Sequence, residues 1–457
     1  MLTSLEAKIL DKNSECLGTS VENLMENAGK ALAKAVDEFS IGKILFICGS
    51  GNNGGDGYAA SKYLRSSADY CSFREPKSKL CKRMIDRVHI APYFPDILDR
   101  YDTIVDCVLG TGMEGELRPE YAELILYLNT LGKRVISCDV PSGFGTDTVL
   151  KADVTITFHD MKEGMSKENC GEILIADIGI PKGAETCVNR GDFLRYPIPK
   201  KDSHKGQNGR LIIVGGGPYI GAPICSAMAA LRVGTDLVTI FTPRRSFIPI
   251  ASYSPSYIVK ELSSDFLCME DVLTIIDASE SADTLLIGPG LGLEPQTKDA
   301  IRFIVENTKN PIVIDADAIT AVSGWIRGTE RMVFTPHRKE LSRLIGKDMP
   351  DDMDIHRFCT DGATILCKGN IDKIHSKNRL RENHSGSPGM TVGGTGDVLA
   401  GAVAGLVAKG MSCFDAACLG AHICGLAGKK AFDEHSYGMT AEDVISHIGQ
   451  VLKEGLE

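Results

Sequence analysis

Several functions require features that this chain lacks. There is no basic excess: 50 Lys and Arg stand against 60 Asp and Glu, a formal net charge of −10. A dedicated nucleic-acid binder usually presents a positive surface to phosphate, so that class is disfavoured. No two of the 15 cysteines form a Cys-x-x-Cys pair, which leaves a cysteine zinc site without a frame. Their odd number and scatter through apolar runs suit free, buried thiols in a reducing cytoplasm. The opening stretch MLTSLEAKILDKNSECLG lacks the apolar core of a signal peptide. One uncharged run, Leu211–Leu231, reaches transmembrane length, but it holds three consecutive glycines and two prolines. It reads instead as a strand, a Gly-rich loop and a buried helix. There is no Walker A motif, short repeat or low-complexity tract. The expectation is a soluble cytoplasmic protein with no membrane and no nucleic-acid partner.

What is present points to two large units. At roughly 150 residues per domain, 457 residues make about three domains or two large ones. Hydrophobic residues at 43% and charged residues at 24% suit a globular chain with ample core. In Val21 to Phe39, Leu24, Met25, Ala28, Leu32 and Val36 form a helical stripe. Apolar runs at Lys43–Cys48, Thr103–Val108, Arg134–Cys138, Asp153–Phe158 and Glu172–Ala176 alternate with helical segments. That pattern predicts an α/β, doubly wound parallel sheet. Pro197 to Asn208 is polar, with two prolines, and reads as a linker. Strands resume near Leu211–Val214, Leu237–Phe241, Thr284–Ile287, Ile312–Asp315, Met332–Phe334 and Thr364–Cys367. The expected organisation is a domain over 1–195, a linker over 196–206 and a second α/β domain over 207–457.

In the first half, Gly49, Gly51 and Gly54 make a Gly-x-Gly-x-x-Gly turn after a strand, with Asp69 about 20 residues on. By itself this is a weak dinucleotide fingerprint or only a tight turn. Asn52, Asn53 and Asp56 add amide oxygens and a carboxylate, enough to hold a cation through oxygens and an anion through N–H groups. Asp106 ends a second strand before Gly110-Thr111-Gly112-Met113-Glu114-Gly115. Asp139 ends a third before Pro141-Ser142-Gly143. Three such loops on one sheet edge converge on one crevice, which favours a site over three separate turns.

The blocks LMENAGKALA, CGSGNNGGDGYAAS, DCVLGTGMEG and DVPSGFGTD, in this order, resemble the NAD(P)H-hydrate epimerase domain over roughly residues 1–195. The resemblance implies a Rossmann-like fold and a potassium ion held by Asn53, Asp106 and Ser142. It implies a substrate site lined by Asn52, Asn53, Gly54, Gly55 and Asp56, and by Gly110, Thr111, Gly112, Met113, Glu114, Gly115 and Glu116. Asp139 would be the catalytic carboxylate, moving a proton at the hydrated ring as a general acid and base. The stretch Ser67 to His89 is shorter and more basic than that pattern, which leaves the strand and loop there unassigned.

In the second half, Gly393-Gly394-Thr395-Gly396-Asp397 runs straight into a helical segment, Val398 to Ala408. Free N–H groups at such a helix start bind phosphate oxygens. The helix dipole is expected to keep Asp397 ionised, as a base requires. An N-cap needs no such glycine run before it. The blocks KGQNGRLIIVGGGPYIGAP, AALRVGTDLVTIFTP, GPGLG, DADAI, TPHRKEL, CKG and PGMTVGGTGDVLAGAVAGL resemble the NAD(P)H-hydrate dehydratase branch of the ribokinase-like superfamily. The resemblance makes Asp397 the base and Gly393, Gly394, Thr395 and Gly396 the anion hole. Ala222, Gly292 and His337 would meet the hydrate, and Lys368, Gly369, Asn370, Ile371 and Asp372 the nucleotide. Ser385-Gly386-Ser387-Pro388 departs from the expected Thr-Gly-Asn-Pro.

Taken together, the resemblances imply a repair enzyme in two parts. One would interconvert the R and S hydrates of NADH and NADPH, and the other would dehydrate the S form. ADP is the expected co-substrate, inferred from the fusion, with ATP the other donor and magnesium accompanying the nucleotide. A homo-oligomer is expected. Three other readings compete. One is a vitamin-precursor kinase with an accessory N-terminal domain, and another is a binding module of the kind found in RNA-associated scaffolds. The third, a nicotinamide dehydrogenase, rests on Gly49, Gly51 and Gly54 alone.

Overall fold

Five successive apolar residues, Ile44–Cys48, form strand β1, and all five are buried. A parallel strand covered by helices on both faces needs such an unbroken run. The computed structural model describes residues 1–457 except Pro92, Phe94 and Glu114. β1 is joined by β2 (Ala68–Ser72), β3 (Ile90–Ala91), β4 (Thr103–Cys107), β5 (Arg134–Cys138), β6 (Val154–Phe158) and β7 (Glu172–Ala176). Among the described residues they make a seven-stranded sheet in the order β3-β2-β1-β4-β5-β6-β7. Every pairing is parallel. The order reverses between β1 and β4, so a crevice opens beyond their carboxyl ends. β2 and β3 fall in or beside the unassigned Ser67–His89 stretch. One is only partly apolar and the other has two residues, too little pattern to read.

The Val21–Phe39 helix starts where Ser20 accepts a hydrogen bond from Asn23 N at 3.2 Å. Its expected stripe of Leu24, Met25, Ala28, Leu32 and Val36 is buried. Each large side chain so buried contributes roughly 1.5–3 kcal/mol.

The second sheet contains β8 (Arg210–Val214), β9 (Leu237–Thr242), β10 (Ile258–Glu261), β11 (Thr284–Ile287), β12 (Ile312–Ile314), β13 (Met332–Phe334), β14 (Thr364–Cys367), β15 (Asp372–Ser376) and β16 (Arg379–Asn383). Its order is β10-β9-β8-β11-β12-β13-β14-β15-β16. β15 and β16 are antiparallel additions, and the other pairings are parallel. The Leu211–Leu231 run divides between β8, a glycine loop and the Gly221–Arg232 helix. Among the described residues, no helix is long and apolar enough to cross a membrane.

The Thr395–Ala408 helix lies very close to the Gly221–Arg232 helix. A Cβ at Gly401 would stand 2.1 Å from the Ser226 carbonyl oxygen, so only glycine allows this approach. The contact lets Ser226 Oγ donate to the Asp397 carbonyl at 2.9 Å.

The chain divides into two compact units, Met1–Ala184 and Glu185–Glu457. Residues 185–195, expected in the first domain, pack with the second. Val188 N donates to Glu382 O at 2.8 Å, and Val188 and Phe193 are buried in the second unit's core. Asp192 pairs with the Arg381 guanidinium, with Nη2 to Oδ2 at 3.0 Å. All fifteen cysteines are unpaired.

Candidate active sites

In the first unit, a cavity of about 400 Å³ opens at the carboxyl ends of β1, β4, β5 and β6. It is lined by Asn52, Asn53, Asp56, Gly110, Thr111, Gly112, Met113 and Asp139, as expected from the sequence. Gly54 and Gly55 are buried in the Asn52–Ala60 helix and do not line it. A Cβ at Gly54 would meet the Gly49 carbonyl oxygen at 2.1 Å, so glycine is needed to close the turn. Gly115 and Glu116 are exposed and are not lining residues. Glu114, also expected here, lies outside the described residues.

Beneath the cavity, Asp106 is fully buried and accepts four hydrogen bonds. They come from Ser142 Oγ at 2.5 Å, Ser142 N at 2.8 Å, Ser137 Oγ at 3.0 Å and Val108 N at 3.2 Å. Burial still holds its pKa above the ordinary value, against those donors. Asn53 is buried, and both atoms of its side-chain amide lack a partner. Such an orphaned amide requires an explanation. Ser142 Oγ accepts one further hydrogen bond, from Leu109 N at 2.9 Å, leaving a lone pair. An all-oxygen set of amide, carboxylate and hydroxyl fits a hard cation such as potassium.

Asp139 directly follows β5, with φ +64°. The left-handed backbone costs an aspartate of order 1–3 kcal/mol and is commonest where function demands it. Lys162, which the sequence reading did not single out, is 4% exposed and places Nζ 2.7 Å from Asp139 Oδ1. It also donates to Thr157 Oγ1 and Phe158 O, each at 2.9 Å. The available signal was its place after β6, a fourth strand-end loop on the same sheet edge. Asp11, also unforeseen, lines the cavity from the Ser4–Cys16 helix. Burial, then the charge of Asp139, pushes its pKa up to about 6. The same two causes, with Asp11 added, hold Asp56 well above the carboxylate range. The cavity thus combines carboxyl groups poised to carry protons with a fixed ammonium, the pattern that separates acid from base roles.

In the second unit, the glycine run opens the Thr395–Ala408 helix, with Gly394 at φ +93° as its N-cap. The first N–H groups of a helix have no intrahelical acceptor and face outward. A Cβ at Gly396 would lie 3.4 Å from Lys368 Nζ, so a cation stands beside those N–H groups. Lys368 Nζ is 2.9 Å from Asp315 Oδ1, which also accepts from Thr335 Oγ1 at 2.7 Å. Burial opposes the Lys368 charge, yet Asp315 and Glu340 hold its pKa above the usual lysine value.

Asp397 is pushed up to about 7, first by burial and then by the charge of Asp315, with Lys368 opposing and Asp317 adding. This corrects the expectation that the helix dipole keeps it fully ionised. A dipole is worth at most about 2 kcal/mol, and burial beside two carboxylates outweighs it here.

The three residues expected to meet a substrate join this cluster indirectly. Gly292 N donates to Asp317 Oδ2 at 2.8 Å. Ala222 shares a helix turn with Ser226, whose Oγ reaches the Ala222 carbonyl at 3.2 Å and donates to the Asp397 carbonyl at 2.9 Å. His337 caps the Arg338–Ile345 helix through Nδ1, and its backbone bridges that of Lys368.

A neighbouring cavity of about 270 Å³ is lined by Lys368, Gly369, Asn370, Asp372, Thr395 and Gly396. Gly386, Ser387 and Pro388 of the divergent loop line it too. Ile371 is exposed, and neither it nor Gly393 or Gly394 is a lining residue. The Thr395 hydroxyl turns away to Met390 O, at 2.8 Å, and steadies the preceding turn.

Two family models match the chain: "YjeF-related protein N-terminus" over residues 21–164 and "NAD(P)H-hydrate dehydratase" over residues 210–450. The bifunctional NAD(P)H-hydrate repair enzyme of Methanothermobacter thermautotrophicus is 36% identical, with 97% of this chain and 94% of that protein covered. Its counterpart from Archaeoglobus fulgidus is 35% identical over 99% of this chain and 98% of that protein. Among solved structures, a ribokinase-like superfamily protein from Enterococcus faecalis superimposes with a TM-score of 0.53 at 27% identity. It covers 59% of this chain and 96% of its own. The competing readings as a vitamin-precursor kinase, a scaffold module or a dehydrogenase are not favoured by these relationships. The two α/β units, their two sites and this full-length similarity make the chain a member of the bifunctional NAD(P)H-hydrate repair enzyme family.

Proposed function

We propose that this chain repairs hydrated nicotinamide dinucleotides. Its first unit epimerises the R and S hydrates of NADH and NADPH, and its second dehydrates the S form with ADP as phosphoryl donor. The observation that carries the reading is the presence, in one chain, of the Asp139–Lys162 pair and of Asp397 at a glycine-rich helix start.

In the first site, Asp139 moves the proton at the hydrated ring while Lys162 holds its carboxylate in one orientation. Asn53, Asp106 and Ser142 would hold potassium, which would supply a fixed positive charge at the substrate site. Asn52, Asp56 and the Gly110–Met113 loop bind the dinucleotide.

In the second site, Asp397 takes the proton of the C6 hydroxyl as that oxygen bonds to the terminal phosphorus of ADP and the bond to the AMP oxygen breaks. Phosphate then leaves C6 with a proton lost from C5, which restores the ring double bond. The N–H groups of residues 394–396 and the Lys368 ammonium stabilise charge on the transferring phosphoryl group. Magnesium bound with the nucleotide would supply further charge neutralisation. Ala222, Gly292 and His337 meet the hydrate, and Lys368 to Asp372 the nucleotide. ADP is assigned on the fusion of the two units. The free thiols support a reducing cytoplasmic setting, and the working form is taken as a homo-oligomer.

The test is recovery of reduced-nicotinamide absorbance from mixed R and S hydrate, with ADP and then with ATP. Complete recovery is expected with the unaltered chain, and no recovery with either nucleotide would refute the proposal.

A further inference from the structure

We propose that Cys187, Glu382 and His384 form a binding site for a zinc-class divalent ion at the edge of the second sheet. β16 is the terminal strand of that sheet. Glu382 lies on it and His384 follows two residues later, the spacing that returns side chains to one face. Cys187 runs alongside as a parallel bridge to Glu382. Val188 N donates to Glu382 O at 2.8 Å, and the Arg381 guanidinium donates to the Cys187 carbonyl.

The backbones are therefore anchored by groups that are not themselves ligands. Arg381 and Asn383, on the other face of the strand, are buried and bonded to Asp192 and Asp372 respectively. Among the described residues, this is the one group of three His, Cys, Asp or Glu side chains whose ligand atoms all lie within 4.8 Å of one another. His384 Nε2 is already 3.1 Å from Glu382 Oε2. Ligand atoms around a tetrahedral zinc are roughly 3.3–3.7 Å apart, given bonds of about 2.0–2.3 Å. Small side-chain rotations therefore complete three corners and leave one for water.

A thiolate with an imidazole selects zinc or cobalt over magnesium or calcium, which prefer all-oxygen sets. Cys187 and Glu382 are half-buried and His384 is exposed, so an ion can enter from solvent. On binding, the Cys187 thiol gives its proton to solvent as the sulfur–metal bond forms, with no change of oxidation state. His384 leads directly into Gly386 and Ser387 of the nucleotide cavity, so the bound ion would brace that loop.

The test uses the full-length chain, reduced and stripped of metal, titrated with Co2+. A sulfur-to-cobalt charge-transfer band and tetrahedral d–d bands are expected to saturate at one equivalent and to bleach on addition of Zn2+. C187S is expected to lose the charge-transfer band and H384A the d–d intensity. C16S, at an exposed cysteine remote from the site in sequence, is expected to change neither. His384 is solvent-exposed, so H384A decides the matter should C187S not fold. Absent bands in the unaltered chain, or a charge-transfer band retained in folded C187S, would overturn the proposal. The readout is independent of repair activity.

Discussion

Lys162 Nζ lies 2.7 Å from Asp139 Oδ1, and both groups sit at the carboxyl edge of one parallel sheet. Sequence separates them by a strand and two loops. The fold joins a residue held in a left-handed backbone to a lysine that is almost wholly buried. An ion pair so enclosed is costly to break from one side, because the remaining charge is stranded.

Lys162→Met is therefore expected to impair both chemistry and stability. Epimerisation should slow by roughly a hundred- to ten-thousand-fold, and stability should fall by about 3–5 kcal/mol. Asp139→Asn should leave S-hydrate dehydration intact while recovering only one epimer of a mixture. Chiral separation of residual hydrate, beside thermal melts, checks both. Rapid epimerisation in either variant would remove the pair from the mechanism.

Asp397 must be ionised to accept a proton, and its pKa is pushed up to about 7. Dehydration kcat/KM is expected to rise with pH to about 7 and then level off, and Asp397→Asn should lower it by a hundredfold or more. A pH–rate profile with excess S-hydrate is the measurement. A rate already flat at pH 6 would contradict the assignment.

Potassium is expected to raise the melting temperature of the first unit, and Asn53→Ala should abolish that increment. Lithium, too small for a site lined by an amide, a carboxylate and a hydroxyl, should substitute poorly. Melting curves in matched salts check this. An equal shift in the variant would argue for another site.

Two buried histidines contribute to the acid sensitivity of the second unit. Burial pushes both His375 and His422 down to about 4 from an ordinary 6.5. His375 faces His356 and Asp352, and His422 faces Asn383. The unfolded imidazoles bind protons below about 6.5 and the folded ones only near 4. Their contribution is full above that upper value and is lost as pH falls through the window. Each is worth on the order of 3 kcal/mol across it. Replacing His375 with glutamine should flatten the dependence of melting temperature on pH between about 6.5 and 4. An unaltered slope would mean that other groups set it.

Gly401→Ala should force the two helices apart, since its Cβ would stand 2.1 Å from the Ser226 carbonyl. A loss of about 1–3 kcal/mol is expected, with slower dehydration because Ser226 also supports Asp397. Denaturant unfolding and dehydration rates check the two effects separately.

Much of this was legible in the residues. Continuous apolar runs such as Ile44–Cys48 and Thr284–Ile287 marked the buried parallel strands, because covering both faces leaves no room for polar alternation. β2, β3, β10, β15 and β16, at or next to the sheet edges, were not legible, since strands there tolerate mixed polarity. Glycine-rich strand ends marked both candidate sites. Of the partners of those sites, Asp11 in one and Glu340 in the other carried no local signature, and Lys162 had only its place in the loop after β6. The Cys187, Glu382 and His384 cluster was equally hidden, with almost 200 residues between its parts and no Cys-x-x-Cys spacing.

The sequence by itself determined the fold class, the division into two α/β units and the glycine-rich strand ends of the candidate sites. These follow from local periodicity and from glycine's access to backbone conformations that other residues avoid. The tertiary structure alone decided which charges meet and in which state. Asp397 is moved to about 7 by burial and by Asp315, a neighbour 82 residues away in sequence. Proton affinity depends on desolvation and on distances through space, and neither is written into the spacing along a chain.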